Sequence, residues 1–425
     1  MAGNISSDAA AYIRAAFLAA CTAVLATEVI ALAGYAPGPH RFLSVDSNAY
    51  HPFFSYAMGG LFAIHALTWP STRELARASL TGFLLLAIHS VLFALDTGQA
   101  HRLVGLVLYY QGLGSLAFLA TRAWRLRAAP EGMQALLLLM AGSTLPLFVI
   151  ASRPLLVLSS TANPATLDLL AFAFDRSLGF DPSAAVARFV LDSAISRELA
   201  LTIYAALPLL VAVAFAMQLR QRDRTPDSLL VFMAIALTGF PIYFLYPVAG
   251  PIFAFGSMFP GHLPALPGAV DVLPGAPRNG MPSLHFAWAL ALSFHARNAG
   301  FQARLAYGAF LWLTALAILG LGEHYLVDLV VALPLVLVAL AACAPARSIY
   351  RRRALAAGLT MLGARLAWLT WGAALFASVG RAHWIPMTLT LWLVIRFGGR
   401  LARPDKPVKP VRPSYFDRRP VKLVR

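Results

Sequence analysis

The amino-acid sequence predicts an all-α, polytopic membrane protein, a bundle of about twelve transmembrane helices. Hydrophobic residues make up 59% of the 425 residues and charged residues only 12%, whereas in a typical soluble domain about half of the residues are apolar and about a quarter are charged. Apolar runs of about 18–24 residues recur along the chain, each long enough to cross the ~30 Å hydrocarbon core of a bilayer. Segments of about ten residues with alternating polarity, which are typical of membrane β-barrels, are not apparent.

The predicted spans are the apolar runs of the sequence. In chain order they are 12–36, 52–70, 79–96, 103–121, 133–152, 198–219, 228–248, 283–299, 304–321, 324–344, 357–379 and 383–398. Both cysteines, Cys21 and Cys343, lie inside these runs. We therefore expect neither a disulfide framework nor a metal cluster.

The cations of this chain lie mainly in alternate loops between the spans, and the formal net charge is +16. Because they are not gathered into one patch, they are better explained by the positive-inside rule and by contacts with anionic lipid than by nucleic-acid binding. With the N-terminus in the cytoplasm, the inner loops are rich in arginine, and the outer loops hold few cations, such as Arg41 and Arg102. Abundant arginine and scarce lysine are typical of a GC-rich bacterial genome, so we expect a multi-pass protein of the bacterial inner membrane.

Two long segments are predicted on the outer side, and a basic tail on the inner side. Residues 153–197 are too polar to span, and Asn163, Pro164 and Thr166 indicate the start of one or two helices in the membrane interface; a structured loop that caps the bundle is the alternative. The Gly- and Pro-rich loop 249–282 is long enough to serve as a lid or a lipid entry lip. The tail 399–425 is expected to be disordered in the cytoplasm.

The segment Gly322–Asp328 (GEHYLVD) carries the first candidate pair, His324 and Asp328. At spacing i, i+4 they share one face at the start of a predicted helix. An aspartate in the first turn is also favoured by the helix dipole, so the pair has a purely structural explanation. An ionisable pair in a membrane helix is nevertheless a functional candidate. A carboxylate behind a histidine fixes its tautomer and stabilises the charged ring, which leaves the other ring nitrogen free as a nucleophile.

The segment Met281–Trp288 (MPSLHFAW) carries the second histidine, His285. Pro282 and Ser283 are typical of a helix start. A lone histidine in this place is more often an interface residue. Here, however, the span after His285 runs inward, the next returns, and the third begins at His324, so both histidines are predicted at the same outer membrane level. One histidine can then attack phosphorus while the other protonates the leaving oxygen.

Together these segments resemble a known family. Pro282–His285 (PSLH) and His324–Asp328 (HYLVD) resemble motifs two and three of the type-2 phosphatidic acid phosphatase (PAP2) superfamily. MPSLHFAW more closely resembles the branch that contains inositol phosphorylceramide synthases and related bacterial membrane proteins, in which Leu stands where most members have the Gly of PSGH. Pro241–Pro251 (PIYFLYPVAGP) and, more loosely, residues 166–180 (TLDLLAFAFDRSLGF) resemble further segments of this branch.

The resemblance covers about residues 160–345 and implies a six-helix catalytic core. We divide the chain into N-terminal accessory transmembrane helices (1–130), a PAP2-like catalytic core (131–346), C-terminal transmembrane helices (347–398) and the basic tail (399–425). The resemblance also implies that His324 is the nucleophile that forms a phosphohistidine and that Asp328 orients and stabilises it. It implies that His285 protonates the leaving group and then activates the acceptor. It implies no metal and no cofactor.

The usual cationic phosphate clamp of the superfamily is missing from this sequence. The first motif is Lys, then six intervening residues, then Arg-Pro. Only its last pair is matched, by Arg153–Pro154, because Pro146 stands in the position of the Lys. Ile318 occupies the position of the arginine in the third motif. A phosphoryl transition state needs cations or oriented donors around its oxygens. The candidate residues for phosphate or substrate binding are Arg278, Ser283 and Glu323. For Arg278 a structural surface role is an equal alternative.

The expected function is therefore that of a membrane lipid phosphotransferase or phosphatase with its site facing the periplasm. Like inositol phosphorylceramide synthases, it would transfer a phospho-headgroup from a phospholipid to a hydroxyl acceptor. The alternative is a phosphatase acting on a lipid phosphate or pyrophosphate, with water as the acceptor. A transporter would show broken helices with polar residues at the membrane midplane and an inverted repeat, neither of which is clear. The expected partners are the phospholipid substrate, the hydroxyl acceptor and the bilayer, and no nucleic acid.

Overall fold

The regular secondary structure of this protein is helical in every part of the chain that the structure describes. The computed structural model describes residues 5–39, 51–68, 72–93, 99–221, 227–261, 263, 272–346, 348–372 and 375–401. The all-α fold class predicted from the sequence is therefore confirmed over these ranges. Arg41, residues 264–271 of the outer loop and residues 402–425 of the predicted tail lie outside them.

The helices fall into three successive groups along the chain. The N-terminal group is α1 (Ser7–Leu32), α2 (Pro52–Thr68), α3 (Thr72–Leu92), α4 (Ala100–Arg125) and α5 (Pro130–Ala162). The middle group is α6 (Asp168–Ser177), α7 (Pro182–Val190), α8 (Ala194–Ala205), α9 (Leu207–Gln221), α10 (Ser228–Leu245) and α11 (Pro251–Phe255). The last group is α12 (Leu284–His295), α13 (Phe301–Gly320), α14 (Leu326–Cys343), α15 (Arg351–Trp371), α16 (Phe376–Val379) and α17 (Trp384–Leu401).

Fewer helices than predicted meet the requirements for crossing a membrane. Within the described ranges, seven helices are long and apolar enough, or eight if α8 and α9, which meet at 47°, form one bent span. This is compatible with an integral membrane protein. Each of the twelve predicted spans does fall on a helix, but α12 has only 12 residues, or about 18 Å at 1.5 Å per residue. The predicted count of about twelve spans is therefore not confirmed within the described ranges, because an apolar run shows where a helix lies and not how long it is.

The segment between α5 and α9 is more helical than the sequence indicated. Helix α5 continues to Ala162, ten residues beyond its predicted end, and Asn163 follows it as the C-cap. Two short helices, α6 and α7, then precede α8. Asp181 begins α7 by accepting a hydrogen bond from the Ala184 N–H at 3.0 Å, as expected of an N-cap aspartate.

Helix α14 lies at the centre of the fold. Almost all of its residues are buried, and it packs against α6, α10, α12, α15 and α17. Helix α12 packs against α9, α10, α13 and α14. The N-terminal helices join this arrangement chiefly through α2 on α9 and through α1 and α5 on α10.

Candidate active site

The starts of helices α12 and α14 lie side by side. The N–H of Ser283, the N-cap of α12, donates to the carbonyl oxygen of Asp328 in the first turn of α14 at 3.2 Å. Ser283 also accepts the N–H of Phe286 at 3.4 Å through its hydroxyl oxygen. Asp328 accepts the N–H of Tyr325 at 2.8 Å. Each helix start is thus capped by a residue of its own motif, and the backbone bond joins the two motifs.

His324 is held in one tautomer. Its side chain is buried, and its Nδ1 lies 2.8 Å from the carbonyl oxygen of Gly280. Because a carbonyl only accepts hydrogen bonds, Nδ1 must carry the proton, and Nε2 keeps its lone pair. The Oδ2 atom of Asp328 lies 3.5 Å from the same Nδ1, which is longer than a direct hydrogen bond. Asp328 is therefore an electrostatic neighbour of the ring, whereas Gly280 determines its protonation state.

His285 sits in an aromatic cage with one free ring nitrogen. Its ring stacks on Tyr204 with centroids 3.9 Å apart and an interplanar angle of 21°. Phe53 and Trp288 lie at centroid distances of 5.3 Å and 5.9 Å. The Nε2 atom is shielded from solvent and has no hydrogen-bond partner among the described residues. The helix starts that carry His285 and His324 are joined by the Ser283–Asp328 backbone bond, and His324 acts electrostatically on His285.

The cage around His285 combines a helix of the predicted core with one outside it. Phe53 belongs to α2 of the accessory N-terminal group, and Tyr204 belongs to α8. The described N-terminal helices therefore contribute directly to the surroundings of the second histidine. Sequence reasoning missed both residues, because nothing in their local sequence distinguishes them from other apolar-face aromatics.

Glu323 lies directly before His324 and is half-buried. Burial raises the pKa of its carboxyl, and the neighbouring His324 acts in the opposite direction. It is also close enough to Tyr204 for their charges to interact. Glu323 thus lies close to His324 and to Tyr204, and the ring of Tyr204 in turn stacks on His285.

Arg278 is buried, and its guanidinium is engaged by backbone carbonyls. Its Nε, Nη1 and Nη2 atoms donate to the carbonyl oxygens of Asn163, Ala276 and Pro164 at 3.1, 2.7 and 3.4 Å. Its backbone N–H donates to the hydroxyl of Ser159 at 3.0 Å. These contacts tie the loop before Gly280 to the end of α5. The geometry therefore favours an anchoring role over the predicted phosphate contact.

Two buried carboxylates on α6 hold the main chain on both sides of the site, and sequence reasoning gave them no role. Asp168 accepts the N–H groups of Ala249 and Gly250 at 3.0 and 2.9 Å. Asp175 accepts those of Leu326 and Val327 at 2.7 and 3.0 Å. Two of the first N–H groups of α14 are thus occupied by Asp175. The available signal was their spacing of seven residues, which places two acids on one helix face.

Gly250 allows the main chain to pass closely behind the site. Its φ is +110°, and a Cβ there would lie 2.3 Å from the carbonyl oxygen of Glu323. Only glycine tolerates both conditions. Two residues later, the N–H of Ile252 donates to the carbonyl oxygen of Gly322 at 2.9 Å, so this segment is fixed against the residues that precede His324.

Arg176 and Arg188, on helices α6 and α7, have contacts away from the two histidines. Arg176 lies over the ring of Phe172 at 5.9 Å, and the Nε of Arg188 donates to the carbonyl oxygen of Pro260 at 3.3 Å.

No group of three or more His, Cys, Asp or Glu side chains with the geometry of a metal site occurs in the described ranges. The chemistry available at this site is that of two imidazoles and the carboxylates beside them.

Comparisons with known proteins give a match for part of the chain. No curated protein and no solved structure matches it. A family model described as the PAP2 superfamily matches residues 170–342. The matched segment is less than half of the chain, and it contains Asp175, His285, His324 and Asp328 but neither Phe53 nor helices α15 to α17. Residues 170–342 of this protein are therefore similar to the PAP2 superfamily.

Proposed function

We propose that this protein is a membrane lipid phosphotransferase or phosphatase that works through a phosphohistidine on His324. The observation that carries the proposal is the hydrogen bond from Nδ1 of His324 to Gly280, which leaves Nε2 unprotonated. His285 lies nearby with an unpartnered Nε2. The match of residues 170–342 to the PAP2 superfamily supports phosphatase-type chemistry on lipids.

In the first step, Nε2 of His324 attacks the phosphorus of a phospholipid. The P–N bond forms as the P–O bond to the leaving alcohol breaks, and a protonated His285 gives its proton to the departing oxygen. The phosphorylated ring of His324 carries a positive charge, which the carboxylate of Asp328, 3.5 Å from Nδ1, stabilises. The products of this step are the free alcohol, a neutral His285 and the phosphohistidine.

In the second step, an acceptor hydroxyl attacks the phosphohistidine. Neutral His285 removes the hydroxyl proton as the new P–O bond forms and the P–N bond breaks. His324 returns to its neutral form with the proton still on Nδ1, and His285 is again protonated for the next cycle. With a polyol or lipid hydroxyl the enzyme is a transferase, and with water it is a phosphatase.

Transfer to a hydroxyl acceptor is the proposal, and hydrolysis is the alternative. Transfer is supported by Leu284, the residue that resembles the inositol phosphorylceramide synthase branch, and by the absence of the superfamily's usual cationic clamp from the sequence. The cage of Phe53, Tyr204 and Trp288 around His285 also places apolar surface where an acceptor must approach. Such surface excludes water from an active site.

The test is a headgroup-transfer assay with the purified protein. Phospholipid labelled in the phosphate would be incubated with and without polyol or lipid-alcohol acceptors. The proposal predicts labelled product that depends on the acceptor and on His324, with His295→Gln, at the other end of α12, as the matched control. Release of inorganic phosphate from a lipid phosphate, unaffected by any acceptor, would support the phosphatase instead.

We also propose that the site faces the outside, as the arginine distribution suggests. Asn279 lies between Arg278 and Gly280, on the chain that leads into the site. A cysteine placed at this position, in a background with Cys21 and Cys343 replaced by serine, should react with an impermeant thiol reagent added to intact cells. Labelling that requires access from the cytoplasm would reverse the proposed orientation.

A further inference from the structure

We propose that Asp175 is a positioning residue for His324, and that helix α6 holds the nucleophile from two sides. This inference rests on the proposed function, because it assigns His324 the role of nucleophile. Asp175 does not touch the imidazole. It acts through the main chain that carries His324, and its partner Asp168 acts through the neighbouring segment 248–250, which accepts the N–H of Gly280.

The first contact is between Asp175 and the start of α14. The fully buried carboxylate uses both oxygens, Oδ2 for the N–H of Leu326 at 2.7 Å and Oδ1 for the N–H of Val327 at 3.0 Å. These are the second and third residues after His324. Two charge-assisted hydrogen bonds from one rigid group fix both the position and the rotation of the first turn.

The second contact comes from the next helix and reaches the His324 peptide itself. The hydroxyl of Ser183, in the first turn of α7, donates to the carbonyl oxygen of His324 at 2.9 Å. Ser183 is fully buried. Asp175 and Ser183 together therefore hold the main chain from residue 324 to residue 327. The position of the His324 Cα, from which the imidazole extends, is thereby fixed.

The third contact sets the partner of the imidazole. Asp168, seven residues before Asp175 on α6, accepts the N–H groups of Ala249 and Gly250. The preceding residue, Val248, accepts the N–H of Gly280 at 2.7 Å through its carbonyl oxygen. Gly280 then offers its own carbonyl to Nδ1 of His324. Helix α6 thus determines both the main-chain position of His324 and the position of the Gly280 carbonyl that accepts its hydrogen bond.

Helix α6 is itself braced by the C-terminal helices. Nδ1 of His383 lies 2.9 Å from the hydroxyl oxygen of Ser177, the last residue of α6. The indole N–H of Trp368 on α15 donates to Nε2 of the same histidine at 3.3 Å, so Nδ1 carries the proton. Phe174 packs against His383 and Phe376 with ring centroids 4.8 and 5.5 Å away. This contact gives α15 to α17, which lie outside the family match, a link to the site.

The decisive substitution is Asp175→Asn. Asparagine has nearly the same shape, but it offers one acceptor oxygen, and its NH₂ group opposes the second N–H of α14. The matched control is Asp227→Asn. Asp227 is also a buried aspartate that accepts two N–H groups at a helix start, those of Leu229 and Leu230, but it begins α10, outside this cluster.

Two readouts on the full-length protein separate positioning from general stability. The first is kcat and KM for headgroup transfer, and the second is the ¹⁵N NMR spectrum of labelled histidine, with the His324 signals identified by their loss in His324→Gln. We expect Asp175→Asn to lower kcat about 10²-fold, the effect of misplacing a reacting group by about 1 Å, with little change in KM. We expect the His324 nitrogen signals to shift or broaden in this variant. Asp227→Asn should leave both readouts unchanged, and Asp175→Glu, which keeps two acceptor oxygens, should recover part of kcat.

The inference and the proposed function fail in different ways. If the wild-type protein transfers no phosphate but Asp175→Asn alone still shifts the His324 signals, the function is wrong and the positioning role stands. If folded Asp175→Asn keeps wild-type kcat and wild-type His324 signals, the positioning role is overturned. Equal losses of kcat in Asp175→Asn and Asp227→Asn would also overturn it, because they would reflect general destabilisation.

Discussion

His324 donates its Nδ1 proton to the carbonyl oxygen of Gly280, 2.8 Å away, although the carboxylate of Asp328 lies only 3.5 Å from the same nitrogen. The two acceptors therefore have separate effects. The carbonyl cannot donate, so it fixes the tautomer with Nε2 free. In the proposed mechanism, the carboxylate of Asp328 stabilises the ring once phosphorylation has made it positive.

Asp328→Asn should slow the chemistry without changing the tautomer of His324. A carboxylate at this distance stabilises a neighbouring positive charge by a few kcal/mol, so we expect kcat to fall about 10²- to 10³-fold. Asparagine can still accept the Tyr325 N–H, which preserves the helix start. Histidine ¹⁵N NMR should show an unchanged protonation pattern at His324. Loss of the Nδ1 proton signal in this variant would show that the carboxylate, and not Gly280, determines the tautomer.

His285→Ala should lower the catalytic rate most when the substrate has a poor leaving group. General acid catalysis contributes about 10²- to 10⁴-fold, and we expect a loss in this range with a phospholipid. The leaving group of a 4-nitrophenyl phosphodiester departs without a proton, so with this substrate the rate of the first step should return towards that of the wild type. The phosphoenzyme should then accumulate, because the second step lacks its base. Burst kinetics measures both effects. Equal losses on the two substrates would contradict a role for His285 in proton transfer.

Arg278→Ala should destabilise the protein more than it weakens substrate binding. The guanidinium donates to three carbonyl oxygens, and hydrogen bonds of charged groups contribute about 1.5–3 kcal/mol each. We expect a lower unfolding temperature in detergent and an unchanged KM for phospholipid in the folded fraction. Arg188→Ala is a suitable control, since this exposed arginine makes a single bond to the Pro260 carbonyl. A large rise in KM with unchanged stability would instead establish Arg278 as the phosphate-binding cation.

Glu323→Gln should stabilise the protein at neutral pH. Burial raises the pKa of Glu323 above its unfolded value of about 4.3, so the folded protein holds this proton more tightly than the unfolded chain. The resulting stability is fully present below the unfolded pKa and is lost as the pH rises through the folded pKa. Because glutamine cannot ionise, the variant should unfold at a higher temperature than the wild type above pH 7 and at a similar temperature near pH 4. A difference that is the same at both pH values would contradict this account.

Local sequence was sufficient for the helix starts and for the two motifs. Ser283 and Asp328 cap the helices that carry them, and capping depends on residues within one turn. Counting spans also predicted that the two motifs begin at one membrane level, and the structure brings Ser283 and Asp328 into contact. Helix length did not follow, because the predicted span 283–299 runs past His295, where α12 ends, into a 3-10 turn over Ala296–Asn298.

The supporting contacts of the site lie far apart along the chain. Asp175 meets Leu326 across 151 residues, and Arg278 meets Asn163 across 115. A single sequence contains no signal that pairs such positions. For the same reason the sequence left a phosphate contact and a structural role of Arg278 as equal alternatives: its position before the PSLH segment was visible, and the carbonyls that surround it were not.

The most direct test of the central claim is to trap and locate the phosphorylated residue. Purified protein would be mixed with phospholipid labelled in the phosphate, quenched within a single turnover, and digested for mapping under alkaline conditions, which preserve phosphohistidine. The account predicts label on Nε2 of His324, no label in His324→Ala, and wild-type labelling in His295→Gln. Label on any other residue, or full turnover by His324→Ala, would contradict it.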